Sequence, residues 1–181
     1  MKLRLTARWL LRLLPLFLAL TAAAAEPLPP DTIIGTWLVD SRDAVIRIDG
    51  VGDGNSRRYV GHIAWIQDDH YHAEDGPALD GKPVVDLNNP DPAQRNQPLL
   101  GLRLLWDLRY EQSHWIGGRI YDSDNGHIFD CTVQLKDADH LRLHAYVLHL
   151  PLLGGSTIWT RSTVPPTGTT AAIPSAATSS H

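Results

Sequence analysis

A single cysteine, Cys131, stands in 181 residues. An intramolecular disulfide is therefore excluded. A lone exposed thiol is a liability in an oxidising compartment, so Cys131 is expected in the interior, with a structural rather than a nucleophilic role. Sustained helical spacing with caps is absent, which excludes a mainly helical domain. Gly-X-Ser-X-Gly, P-loop and dinucleotide fingerprints are also missing, so no cofactor is expected and no nucleophile is marked. Nor is there an apolar run of the ~20 residues that a membrane-crossing helix needs. The uncharged stretch Leu13 to Ala25 spans 13 residues.

That stretch has another reading. Lys2, Arg4, Arg8 and Arg12 precede it, and Ala22 to Ala25 close it with small residues. This is the layout of a secretory signal peptide, expected over 1–25 and cleaved near Ala25. The expectation is a periplasmic or secreted protein, with no stable membrane insertion after cleavage. The segment holds four of the 16 basic residues and none of the 20 acidic ones, leaving a mature chain with a net charge of −8. Such an acidic surface argues against nucleic acid and anionic lipid as partners. Residues 26–32 are read as an extended leader. Residues 163–181, rich in Thr, Ala, Ser and Pro, are read as a disordered tail. One domain remains, over 33–162.

Within it the period is two. Ala44, Ile46 and Ile48 share a face, as do Leu102, Leu104, Trp106, Leu108 and Tyr110. Phe129, Cys131, Val133 and Leu135 share another, as do Leu141, Leu143, Ala145 and Val147. Less regular strands are expected at 33–40, 59–66, 114–122 and 156–161. Asp49-Gly50, Asp124-Asn125-Gly126 and Gly154-Gly155 mark turns between them. Eight antiparallel strands in about 130 residues predict an all-β, up-and-down barrel, because closure removes exposed edges. A two-sheet sandwich is the alternative. Gly35 and Trp37 open the first strand, and Trp159 and Arg161 end the last. In a closed barrel Arg161 meets the Trp37 indole. The arrangement resembles the Gly-X-Trp and terminal Arg of lipocalin and calycin barrels.

Several stretches in order carry a wider resemblance. They are Gly35-Thr36-Trp37, Tyr59 to Ile63, Gly118 to Asp122, Leu141 to Tyr146 and Trp159-Thr160-Arg161, with Asn89-Pro90-Asp91-Pro92, Arg95, Pro98 and Gly101 between them. Together they resemble the bacterial domain-of-unknown-function 2147 family over residues 33 to 161. The sequence departs from the family pattern at Leu87-Asn88, at Leu100 where Cys is common, and at His144-Ala145 where Arg-Gly is common. The resemblance implies an exported lipocalin-like barrel and no settled activity.

The long Pro/Asn-rich connection from about Gln67 to Leu100 is expected to be rigid, since Pro90 and Pro92 fix turns and Asx side chains bond nearby amides. It is read as a lid over one barrel end, with Arg95 bridging Asp86 or Asp91. In a second reading it forms one wall of a ligand site built from Asp86, Asn88, Asn89, Asp91, Arg95 and Gln97. His70 and His72 are weak candidates for metal ligands. Trp37, Trp65, Trp106, Trp115 and Trp159 are candidates for core or cavity wall. The functional expectation is a monomer that binds a small molecule or an envelope partner. The alternatives are a hydrolase of envelope material, with Asp86 and His62 as proton carriers, and a protein-binding envelope scaffold.

Overall fold

The structure, a computed structural model, describes residues 28–165. The expected signal segment and the tail beyond 165 lie outside the described residues. Eight strands follow in order: β1 (Gly35–Leu38), β2 (Ala44–Val51), β3 (Arg58–Ile66), β4 (Arg103–Glu111), β5 (His114–Asp122), β6 (His127–Leu135), β7 (His140–Tyr146) and β8 (Gly154–Arg161). Each pairs antiparallel with the next, and β8 returns to β1, closing the barrel.

The seam between β1 and β8 is short, with Trp37 opposite Arg161 and Leu38 opposite Thr160. Arg161 reinforces it. Its Cζ lies 4.1 Å from the centroid of the Trp37 ring. Its Nη1, Nη2 and Nε donate to the carbonyls of Ile34 (3.1 Å), Thr32 (3.0 Å) and Ala138 (2.9 Å). Gly35 makes room for this side chain. Its φ is +140°, and a Cβ there would sit 2.5 Å from Arg161 Nη1.

The same end of the barrel is stoppered. Pro30–Ile33 form a 3-10 turn, so the leader is not extended up to residue 32. Proline at the first turn is pre-set for such a helix. Ile33 is fully buried, and its carbonyl accepts the Trp37 indole N–H at 2.9 Å. Trp115 Nε1 donates to the Pro30 carbonyl at 3.1 Å. Asp31 receives Arg57 Nε and Nη2 (2.9 and 2.8 Å) and the Tyr59 hydroxyl (2.8 Å). The turn is thereby tied to β3 and β5 as well as to the seam.

Period-two alternation holds on β6, where Cys131, Val133 and Leu135 are buried. Burial pushes the Cys131 thiol pKa up to about 12, so it is an inert core group. On β4 the alternation slips. Leu104 and Leu105 are both buried, then Leu108, while Trp106 is only half-buried. The cause is a bulge. Three steps on β4, from Leu105 to Leu108, match two on β3, and Asp107 adopts φ 62°. A second bulge on β5 sits at Gly117, φ 68°. These extra residues bend and coil the strands, which helps a small sheet to close. Beside them Gly118 lies against β4 and β6, where a Cβ would come within 2.5 Å of Leu108 Cδ2 and 3.0 Å of Cys131 Sγ.

Candidate functional site

In an up-and-down barrel, alternate connections fall at the same end. The β1–β2, β3–β4, β5–β6 and β7–β8 connections surround the end opposite the 3-10 turn, and a cavity opens there. Its volume is about 540 Å³, within the range of small-molecule sites. Inward residues of successive strands form the wall: Ile46, Ile63, Leu104, Ile120, Phe129 and Leu143. Ala145 adds depth, because it pairs with the inward Cys131 and fills little space. Thr157, paired with Leu143, is a hydroxyl on the same face. Asp122, Ser123 and Asp124 line the rim at the β5–β6 turn, and among the described residues no lysine, arginine or histidine lines the cavity.

The rim is built by Asx chemistry. Asp122 Oδ1 accepts the Asp124 amide (3.0 Å), and Oδ2 accepts Asn125 Nδ2 (2.7 Å). Asn125 Oδ1 in turn takes the His127 amide (2.9 Å). Tyr121 also lines the cavity, and its hydroxyl donates to Asp86 Oδ1 at 2.7 Å. Desolvation, then the hydrogen bond to Asp86, holds the Tyr121 phenol above its ordinary pKa. It stays a donor at any physiological pH.

Asp86 is thus a structural clasp. It is 1% exposed, and its second oxygen accepts Asn89 Nδ2 at 2.7 Å. Several neighbouring loop residues also bond locally. Asn88 Nδ2 donates to the carbonyls of Ser123 (3.1 Å) and Asp124 (3.0 Å). Asn89 Oδ1 accepts the Asp91 amide (2.9 Å), and Asp91 Oδ1 accepts the Ala93 amide (3.0 Å). Arg95 Nε donates to the Asn89 carbonyl at 2.8 Å rather than to a carboxylate. The Gln97 carbonyl accepts the Asp86 amide at 2.9 Å. None of Asp86, Asn88, Asn89, Asp91, Arg95 and Gln97 lines the cavity. The loop buttresses the β5–β6 side of the mouth, where Asp86 meets Tyr121 and Asn88 meets the Ser123 and Asp124 carbonyls.

The other expected groups lie apart. His70 Nδ1 meets Asp69 at 2.8 Å, and His72 Nε2 meets Asp68 at 3.8 Å. Among the described residues no three His, Cys, Asp or Glu side chains gather closely enough to hold a metal ion. His62 sits between Arg47 and Arg103 in the sheet register, on the outward side of β3, and shares no hydrogen bond with Asp86. None of Trp37, Trp65, Trp106, Trp115 and Trp159 lines the cavity. Trp37, Trp115 and Trp159 are core residues.

The family described as "Uncharacterized protein conserved in bacteria (DUF2147)" matches residues 35–161. The chain belongs to the DUF2147 family. The match runs from Gly35 to Arg161, so the seam that closes the barrel marks both of its ends. Among solved structures, this DUF2147 chain is similar to one from Helicobacter pylori titled "Protein HP1028 from the human pathogen Helicobacter pylori belongs to the lipocalin family". The identity is 17% and the TM-score 0.56, over 76% of this chain and 85% of the other. That likeness establishes a shared lipocalin-like barrel. No curated protein matches the chain.

Proposed function

We propose that this DUF2147 protein binds one small apolar molecule inside its barrel. The observation that carries the reading is the cavity: about 540 Å³, lined by aliphatic side chains and Phe129, open at one end and stoppered at the other. Burial of apolar surface at about 25 cal/mol per Å² supplies the affinity. Thr157 and the Tyr121 side of the wall supply orientation. The rim carries carboxylates and no cation, so a ligand with a neutral or cationic polar end is favoured over a carboxylic acid. The Asp122 carboxylate on the rim is bonded to its own turn, and among the described residues no histidine or cysteine lines the cavity to activate a hydroxyl, which favours binding over hydrolysis. The leader pattern supports a role outside the cytoplasm.

Native mass spectrometry of protein purified from an exporting bacterium tests both parts. The expected result is a chain beginning at Glu26 that carries one co-purifying apolar molecule. An apo spectrum that stays unchanged when apolar lipids are offered contradicts the binding role, and a retained N-terminal segment contradicts the exported form.

A further inference from the structure

Three arginines of this acidic chain gather in a second hollow, at the stoppered end of the barrel. The cleft lies between the 3-10 turn, the β2–β3 connection and the adjoining ends of β3 and β4, and its volume is about 720 Å³. Arg57, Arg58 and Arg109 line it, with Asp31, Glu111 and Tyr110. Among the described residues it shares no lining residue with the apolar cavity.

All three guanidinium groups are held in place. Arg57 lies over Gly50, where a Cβ would come within 2.4 Å of its Nη2. Arg109 lies over Gly117 in the β5 bulge, where a Cβ would come within 2.5 Å of its Nη1. A side chain at either glycine would push the arginine away. Arg58 is oriented by its Nη1, which donates to the carbonyls of Asn55 (3.2 Å) and Arg57 (2.9 Å).

They differ in what they bond. Arg57 is satisfied: Asp31 takes its Nε and Nη2, and the Gly52 carbonyl takes Nη1 at 3.0 Å. Arg58 keeps Nε and Nη2 unspent, and among the described residues Arg109 makes no hydrogen bond. Glu111 Oε2 stands 3.8 Å from Arg109 Nη2, too far for a hydrogen bond. Yet these two arginines are opposite one another. Tyr59 pairs with Leu108 in the β3–β4 register, so Arg58 and Arg109 come next, on the outward face. Like charges so placed repel. Three guanidinium groups against two carboxylates leave the lining net positive.

From the seated guanidinium groups and the facing, unsatisfied pair, we infer that this cleft binds a phosphate monoester, with Arg58 and Arg109 on its terminal oxygens. A guanidinium fork takes two oxygens of one anion. A carboxylate offers only two, in one plane, and a single fork satisfies it. A monoester offers three around a tetrahedral centre, so forks from neighbouring strands both engage. Its double charge also offsets the repulsion between them. The cleft has room beyond the phosphate for an organic body beside Tyr110.

Isothermal titration calorimetry of the full-length chain tests this in two arms, phenyl phosphate and phosphatidylcholine vesicles containing phosphatidic acid. Phenyl phosphate is expected to bind one per chain. Arg58→Gln and Arg109→Gln should each weaken binding by about ten-fold or more, the order for losing a hydrogen bond to a charged group. Arg109→Lys keeps the charge but not the fork and should restore only part of the affinity. Arg47→Gln makes the same charge change on β2, away from the cleft, and should alter affinity by less than about two-fold, as for a screened surface charge. Binding of phenyl phosphate assigns a soluble ester, and binding of the vesicles alone, weakened by Arg109→Gln, assigns a lipid headgroup; either supports the site. The inference is overturned if neither arm binds, if Arg58→Gln or Arg109→Gln leaves binding unchanged, or if Arg47→Gln weakens it as much. It is also overturned if benzoate binds as tightly as phenyl phosphate. None of these variants touches the apolar cavity, so the result stands apart from the ligand reading.

Discussion

Asp86 is the one charged side chain buried among the described residues. Burying a charge is costly unless its oxygens are bonded, and here Tyr121 and Asn89 bond one oxygen each. The pair couples a long surface loop to a residue of the cavity wall. Tyr121→Phe leaves a buried carboxylate oxygen without its donor. The expected loss is about 1.5–3 kcal/mol, the range for hydrogen bonds to charged groups. Urea unfolding checks it through the midpoint, with the slope unchanged. A loss under about 0.5 kcal/mol would mean that the clasp is not the joint between loop and barrel.

At the scale of elements, the 3-10 turn Pro30–Ile33 is held partly by charge. The hydrogen bond from Arg57, then that from Tyr59, holds the Asp31 carboxyl below its ordinary value of 3.8. A depressed folded-state pKa contributes stability that is present above the unfolded value and is lost as pH falls through the folded one. Asp31→Asn should therefore lower stability by up to about 1 kcal/mol near neutral pH, as for exposed ion pairs. The gap to wild type should stay constant down to about pH 5 and shrink below the ordinary value of 3.8. Thermal melts of both proteins across pH 3 to 7 measure it, and a gap that widens in acid would reverse the assigned sign.

Elements are also where the sequence was most legible. Alternation located four strands and less regular apolar runs the other four, although the turns expected at Asp49-Gly50 and Gly154-Gly155 fall inside β2 and β8; the placement of Trp37 and Arg161 at the two ends announced closure. The slipped phase of β4 was not legible. It depends on Asp107 adopting a left-handed conformation that only the neighbouring strands impose. The 3-10 turn was hidden as well, since four residues carry no periodicity. The candidate site was legible only in part. Ile46, Leu104, Phe129, Leu143 and Ala145 stood on the inward faces, yet period two cannot distinguish a filled interior from an open one. Asn, Asp and Arg are ligand-binding residue types, so the polar loop's composition alone points to a site there. The side chains of Asp86, Asn88, Asn89 and Asp91 bond within the loop and to β5 and the β5–β6 turn, and the Asp86–Tyr121 contact spans 35 residues with no local signal.

The whole molecule reads as a cup. One end is shut by Ile33, Trp37 and Arg161, and the other opens beside a leucine-rich loop. Ala145 is the small residue that keeps the upper wall wide. Ala145→Trp places an indole in the cavity while leaving the stoppered end untouched. The most direct measurement titrates an uncharged fluorescent apolar probe into the wild-type protein and into this variant, with circular dichroism confirming that both are folded. The account predicts saturable binding of one probe per wild-type chain and loss of that binding in Ala145→Trp. Equal binding by both, or none by the wild type, would contradict it.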